Sequence, residues 1–382
     1  MSQIVAVEIL PVRLPITRTF TFASGSAGAK GGTAPHVFVK VTDSEGRVGW
    51  GEGRPVPQWS YETLETVVTT LRYHLAPALI GQSIHDRWGL HRRMHMAIGR
   101  GPSTGQPIAK AALDIAVHDL CAQAAGVTLR EFLGGSRERR EMALSYTLTA
   151  HTVDDIAHDI AAGQALGFKH FNFKAAVDPQ TDGDVALAIR KRVDKDAFVW
   201  ADANQGYRLH DARQIAKLFS EAGVNILEQP LLADQKHQMR SLRQSTHLAL
   251  AVDESSVSPA DFFAYAAEGL VDYLVIKITR SGGLWPSLQQ IAVAESAGLP
   301  LLVSGLTDGF ITKIAACQLA LAFGFVGPAA LNGSQFMDES ALFPDKTQIE
   351  KGGVVCLNDR TGLGVAPDED ALKHYLAKEL LT

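Results

Sequence analysis

Phe198-Val-Trp-Ala-Asp202-Ala-Asn204 is an apolar run of strand length that closes on an acid. Four other stretches share the construction: His170-Phe-Asn172-Phe-Lys174, Val224-Asn-Ile-Leu-Glu228, Leu248-Ala-Leu-Ala-Val-Asp253 and Tyr273-Leu-Val-Ile-Lys277. Their terminal groups, from Lys174 to Lys277, stand 28, 26, 25 and 24 residues apart. Short runs that are apolar throughout read as strands covered on both faces. Strand starts recur near residues 143, 169, 197, 224, 248, 271 and 299, with helical stretches between them. Strands alternating with helices predict parallel βαβ units. A period near 25 to 28 over seven or so units predicts a closed (β/α) barrel rather than an open sheet. In such barrels the C-terminal strand ends carry the chemistry, and there the five charged groups fall.

Outside this region the pattern changes. Up to about residue 53 the chain reads as antiparallel strands, with Val5, Val7 and Ile9 alternating and Asp43-Ser-Glu-Gly46 as a turn. Thr19 to Gly32 is rich in glycine and serine and reads as a mobile functional loop. A second irregular stretch runs from Arg54 to Tyr61. Residues 61 to 134 read as helices, with Leu113, Ala116, Val117 and Leu120 as one apolar stripe. Thr152-Val-Asp-Asp155 and Ser258-Pro259 read as helix starts. Val354 to Leu357 and Thr361 to Val365 read as short strands. Three segments follow: an α+β region over 1–135, the barrel over 136–340, and a tail over 341–382 returning to the first.

The 382 residues can bury a large core. A net charge of −5 gives no electrostatic case for nucleic acid or an anionic membrane as partner. No apolar run approaches the roughly 20 residues that span a bilayer. Cys121, Cys317 and Cys356 are scattered, which fits a reduced, cytoplasmic setting and buried, inert thiols.

Asp202, Glu228 and Asp253 end three consecutive strands. Singly, each reads equally well as a surface salt-bridge partner. Together they repel one another in one barrel mouth, and a divalent cation resolves that conflict. All-oxygen donors favour Mg²⁺, or Mn²⁺. Lys174 and Lys277 bracket the acids from strands two and six, which face each other across a closed barrel. A lysine partly desolvated near a cation has its pKa lowered and can act as a base. Asn204 reads as a ligand contact or a loop cap; Thr307-Asp308 reads as a substrate contact or a plain turn. Gly282-Gly283, after Arg280, offers helix-start N–H groups like those of a phosphate site. His118 reads as a core or capping residue.

At these residues the chain resembles the enolase superfamily, in the muconate lactonizing enzyme subgroup. Ala109-Lys-Ala-Ala-Leu-Asp114-Ile-Ala-Val-His-Asp119-Leu with Leu133-Gly134 is similar to that family's first signature. Val199-Trp-Ala-Asp202-Ala-Asn204 with Ile226-Leu-Glu228-Gln-Pro230 is similar to the second, and Lys277-Ile-Thr-Arg280-Ser-Gly-Gly283 resembles the strand-six lysine motif. The resemblance implies an α/β fold, a modified TIM barrel (β/α)₇β with an α+β capping domain built from the N-terminal region and the tail. It implies Mg²⁺ on Asp202, Glu228 and Asp253, acid/base roles for Lys174 and Lys277, a small carboxylate substrate and a symmetric homo-oligomer. It places Phe20 and Trp59, in the 19–32 and 54–61 loops, over the substrate; Asn172, Asn204, Thr307 and Asp308 are further candidate substrate contacts.

Three departures stand out. The family's usual Lys-x-Lys on strand two is Asn172-Phe-Lys174, the Asp-x-Asp that holds a dipeptide ammonium matches Asn332-Gly-Ser334, and the Glu-Ser that often ends strand seven matches Thr307-Asp308. A free-amine dipeptide is therefore disfavoured. The expected reaction is metal-assisted abstraction of the proton α to a carboxylate, leading to racemisation or epimerisation. Cycloisomerisation or dehydration at the same site is the alternative. A metal-free Schiff-base lyase and a non-catalytic barrel are the readings from other classes.

Overall fold

The computed structural model describes residues 2–22, 25–101 and 104–381. Seven parallel strands lie side by side in chain order: Ser145–Leu148, His170–Lys174, Val199–Asp202, Ile226–Glu228, Leu250–Val252, Tyr273–Ile276 and Leu301–Val303. Each begins within two residues of its expected start. The ladder closes through residues 329 and 330, which bridge Leu144 on one side and Ser304 on the other, both in parallel. Ser145 N donates to Ala329 O at 2.9 Å and Ala330 N to Val303 O at 3.0 Å. This pair is the eighth strand of a (β/α)₇β barrel.

Side chains alternate across a strand, and the barrel sorts them by that rule. Trp200, Ile226, Ala251, Val275, Leu302 and Ala330 pack on one another as one cluster. Their neighbours Val199, Ala201, Leu227, Leu250, Val252, Leu274 and Ile276 join the larger core with the surrounding helices. The helix Leu209–Ala222 is typical: Ala212, Ile215, Ala216, Phe219 and Ala222 form its buried stripe, and Gly223 ends it in the left-handed region at φ 81°. Ser258 and Asp261 form a reciprocal cap at the start of Pro259–Ala267, and Thr152 caps Val153–Ala165.

The N-terminal region is a separate layer. Ile4–Pro15, Thr33–Asp43 and Val48–Gly53 form an antiparallel sheet. The helix Pro107–Ala124 lies on it, buried on nearly every face rather than along one stripe, because the barrel covers its other side. Gly49, Gly51 and Gly53 line the sheet face it touches. A Cβ at any of them would run into the helix at Ala116, Ala112 or Ile108. The loop expected over residues 19–32 forms a small hairpin in its described part, Thr21–Phe22 with Gly25–Ser26; Ala23 and Ser24 lie outside the described residues.

The tail divides. Val354–Cys356 pairs with Glu141–Ala143 at the start of the barrel, not with the N-terminal sheet. Residues 361–365 form no strand, because Gly362 and Gly364 bend the chain at φ 68° and 75°. Their backbone instead binds the first region: Leu129 N donates to Gly362 O at 2.7 Å and Leu363 N to Asp119 Oδ1 at 2.7 Å. Farther on, Ala377 N donates to Pro11 O at 2.9 Å. Cys121 and Cys317 are buried, and burial pushes both thiols up to about 12. Cys356, expected to be buried, is exposed, because strand alternation turns Val355 inward and Cys356 out. Among the described residues no helix is long and apolar enough to cross a membrane.

Candidate active site

Period-two alternation places the charged groups in the mouth. Asp202 follows inward-facing Trp200 by two residues, Glu228 follows Ile226, Asp253 follows Ala251 and Lys277 follows Val275. The ladder sets Lys174 level with Asp202, and Asp202 level with Glu228. All five groups are buried. Lys174 Nζ lies 2.5 Å from Asp202 Oδ2, and Lys277 Nζ lies 2.5 Å from Asp253 Oδ2. Arg280 Nη1 donates to Asp253 Oδ1.

The charges are unevenly compensated. Burial would raise the Asp253 carboxyl, but Arg280 and Lys277 hold it down at about 2. Glu228 is driven well upward by burial and then by Asp202 and Asp253. Glu254 is pushed up to about 7 by burial and by Asp253; its Oε1 accepts from Asn204 Nδ2 at 3.1 Å. Burial pulls the Lys277 pKa down, but Asp253 pulls it up, and the net direction is upward.

Whether these residues fit a divalent cation follows from their chemistry. Among the described residues no group of three His, Cys, Asp or Glu side chains is arranged to hold a metal as it stands; Asp202 and Asp253 are each turned to a lysine. The donor set itself is all carboxylate, and Glu228 Oε1 and Glu254 Oε2 are buried without a hydrogen-bond partner. A buried acid repelled upward by two neighbours is the condition a hard cation relieves. The residues fit.

Aromatic rings cover the mouth. Phe22 stacks on Trp59 with centroids 4.0 Å apart, and Phe20 stacks on Phe336 at 4.5 Å. Lys174 Nζ lies 5.6 Å from the Phe20 centroid and 5.7 Å from that of Trp59; Lys277 Nζ lies 5.9 Å from Trp59. The indole Nε1 of Trp59 is buried without a partner. Beside Trp59 a cavity of about 230 Å³ reaches Gln205, Glu254 and Arg280.

The remaining sequence candidates divide. Asn172 faces inward two residues before Lys174 and accepts from Thr147 Oγ1 at 3.1 Å. Asn204 lies beside Glu254 with its Oδ1 unpartnered. Thr307 is bonded locally: its hydroxyl donates to Leu306 O at 2.5 Å, and its carbonyl accepts from Arg54 Nη1 at 2.7 Å. Asp308 accepts from Leu306 N at 2.9 Å through Oδ2, while Oδ1 is buried without a partner. Ser334 is spent on Lys313 and Glu350 at 2.6 and 2.9 Å. Sequence reasoning missed Phe22, Phe336 and Glu254. Phe22 follows Phe20 by one strand period, Glu254 adjoins Asp253, and Phe336-Met337 is an apolar pair in a polar stretch; these were the available signals.

Comparison with known proteins agrees with this architecture. Residues 5–134 match the mandelate racemase/muconate lactonizing enzyme N-terminal domain, and residues 155–371 match the enolase C-terminal domain-like family. An N-succinyl-L-Arg/Lys racemase of Bacillus cereus is 28% identical over 97% of this chain and 97% of its own. Its crystal structure superposes with a TM-score of 0.89 at 26% identity, covering 98% of each chain. A chloromuconate cycloisomerase of Delftia acidovorans is 30% identical over 96% of both chains. With both of its domains matched, the chain belongs to the mandelate racemase/muconate lactonizing enzyme family of the enolase superfamily.

Proposed function

We propose that this protein is a divalent-cation-dependent isomerase that racemises or epimerises a small carboxylate of the amino-acid-derivative class. The observation that carries the reading is the placement of two buried lysines, on the second and sixth of eight barrel strands, on either side of three carboxylates. Asp202, Glu228 and Asp253 would hold Mg²⁺, or Mn²⁺. Bound there, the ion would draw charge from the substrate carboxylate and make its α-proton more acidic. One lysine is placed to remove that proton, and the other to return one to the opposite face. Trp59 spans both ammonium groups and, with Phe20, Phe22 and Phe336, shuts out water. At the positions matching Asp-x-Asp, Asn332 donates to Thr147 and Ser334 is bound to Lys313, so neither offers an acid to a substrate ammonium. That favours an N-acylated amine, and the N-succinyl racemase relative supports the same class.

The aromatic cover favours a second reading, cycloisomerisation of an unsaturated dicarboxylate, which the cycloisomerase relative supports. The two readings share the lysines and the acids. The family resemblance also implies a symmetric homo-oligomer, which sedimentation velocity checks.

The test is α-proton exchange in D₂O with Mg²⁺, on both enantiomers of N-succinyl and N-acetyl arginine, lysine and phenylalanine, with cis,cis-muconate alongside. Exchange abolished by EDTA and lost from one enantiomer in each of Lys174→Ala and Lys277→Ala is expected. Full exchange in both variants sinks the two-base reading. EDTA-insensitive activity trapped by borohydride would point to a Schiff base instead.

A further inference from the structure

The N–H groups that follow Gly282-Gly283 already have an anion. Asp114, from the helix Pro107–Ala124, accepts from Leu284 N through Oδ2, with Trp285 N at 3.4 Å. These are the first residues of the helix Leu284–Ser296, which continues the chain from Lys277. The other oxygen, Oδ1, bonds His91 Nε2, and His118 Nδ1 donates to the Asp114 carbonyl at 2.9 Å. The cluster is almost fully buried. Burial alone would raise the Asp114 carboxyl, but His118 and His91 outweigh it and hold it well below the usual range. Gly283, at φ 119°, permits the approach, since a Cβ there would collide with the carboxylate.

Between Asp114 and Lys277 the backbone is short and tight. Ser281 N donates to Lys277 O at 2.9 Å, Gly283 N to Ile278 O at 2.7 Å, and Ile278 to Ser281 are all buried. The backbone behind Lys174 is held differently. Ala175 N donates to Asp202 O at 2.9 Å, and Ala176 N donates to Asp182 Oδ2 and Tyr207 Oη at 3.1 and 3.0 Å. Those partners all belong to the barrel. Among the described residues, the N-terminal layer thus covers both ammonium heads through Trp59 and hydrogen-bonds the main chain that follows Lys277, but not the main chain directly behind Lys174.

We infer that Asp114 is a positioning residue for Lys277 and not for Lys174, so that the capping domain sets one of the two proton transfers independently of the other. The inference rests on the two-lysine reading above. A misplacement on the order of 1 Å costs about 100-fold in rate, so losing this anchor acts selectively on the lysine it holds.

Exchange with retention of configuration uses a single lysine, which makes the two sides separable. Deuterium uptake into recovered N-succinyl-L-phenylalanine and N-succinyl-D-phenylalanine is measured with Mg²⁺ for wild type, Lys277→Ala, Asp114→Asn and Asp114→Ala, or with whichever enantiomer pair of the panel above exchanges in wild type. Lys277→Ala identifies the enantiomer served by Lys277. Asp114→Asn, which keeps shape and loses charge, is expected to slow exchange of that enantiomer about tenfold or more and the other by less than about threefold. The peptide over residues 278–285 should also exchange its amides faster in this variant, while that over 175–182 stays unchanged. Equal slowing of both enantiomers, no slowing, unchanged amide protection, or failure of Asp114→Asn to fold overturns the inference. Absence of exchange throughout the wild-type panel, or two-sided exchange surviving in Lys277→Ala, overturns the two-lysine reading itself.

Discussion

Asn172 Oδ1 accepts a hydrogen bond from Thr147 Oγ1 at 3.1 Å, and Thr147 in turn accepts from Asn332 Nδ2 at 2.8 Å. The three side chains tie strands two and one to the residue two past strand eight. The residue standing where the family resemblance leads one to expect a lysine is thus a neutral member of a buried chain of hydrogen bonds. Replacing it by Asn172→Leu keeps the volume but leaves the Thr147 hydroxyl without an acceptor. The expected loss is about 1–3 kcal/mol, read as a lower urea midpoint at unchanged slope. An unchanged midpoint would show that the chain contributes nothing.

Trp59 reaches both lysines, so its loss should be felt on both sides. Trp59→Ala is expected to slow exchange of both enantiomers by comparable factors. The scale is about 2- to 30-fold, corresponding to a desolvated cation–π contact of roughly 0.5–2 kcal/mol. Trp59→Phe should restore most of it. A one-sided effect would contradict the spanning geometry.

Mg²⁺ should stabilise the fold without any substrate present. A ligand that binds only the native state adds about 2.7 kcal/mol at 100 times its Kd, so a melting curve should move upward with added Mg²⁺. Asp202→Asn should abolish the shift. A shift of equal size in that variant would remove Asp202 from the ligand set.

Glu62 offers a test by pH. Its carboxylate accepts from Ile108 N at 2.8 Å and Ala109 N at 3.2 Å, at the start of the long helix. Burial pushes its pKa up to about 7 from 4.5, against those bonds and Lys110. The native state therefore holds this proton more tightly than the unfolded chain. Its contribution is full below about pH 4.5 and is lost as pH rises through 7. Glu62→Gln cannot ionise, so its stability relative to wild type should improve from pH 5 to pH 8, by at most about 1.4 kcal/mol per unit. Urea titrations across that range check the sign; a constant difference would refute the shift.

The strand ends were legible because a barrel strand is buried on both sides and must shed its polar group at the mouth. Asp202, Glu228 and Asp253 show this directly. The closing strand was not legible, since Ala329 and Ala330 make too few ladder bonds to leave a pattern. Gly282-Gly283 showed an anion site but not its occupant, because Asp114 is 170 residues away in sequence. The segment 361–365 looked like a strand because apolar residues alternate there, while two glycines in the left-handed region bend it into a clasp. The pairing of Phe20 with Phe336 depends on the barrel closing, and no local period encodes that.

The glycines at 49, 51 and 53 leave no side chain between the N-terminal sheet and the helix that bears Asp114. The helix backbone at Ala116 and Ala112 comes closest to Gly49 and Gly51, and the Ile108 side chain to Gly53, so the sheet side has no rotamer to flex. A push on the sheet would therefore be passed to the helix that bears Asp114, like torque through a keyed shaft rather than a belt. Whatever settles on the outer face of that sheet would then be felt at Lys277, through a linkage built with no slack.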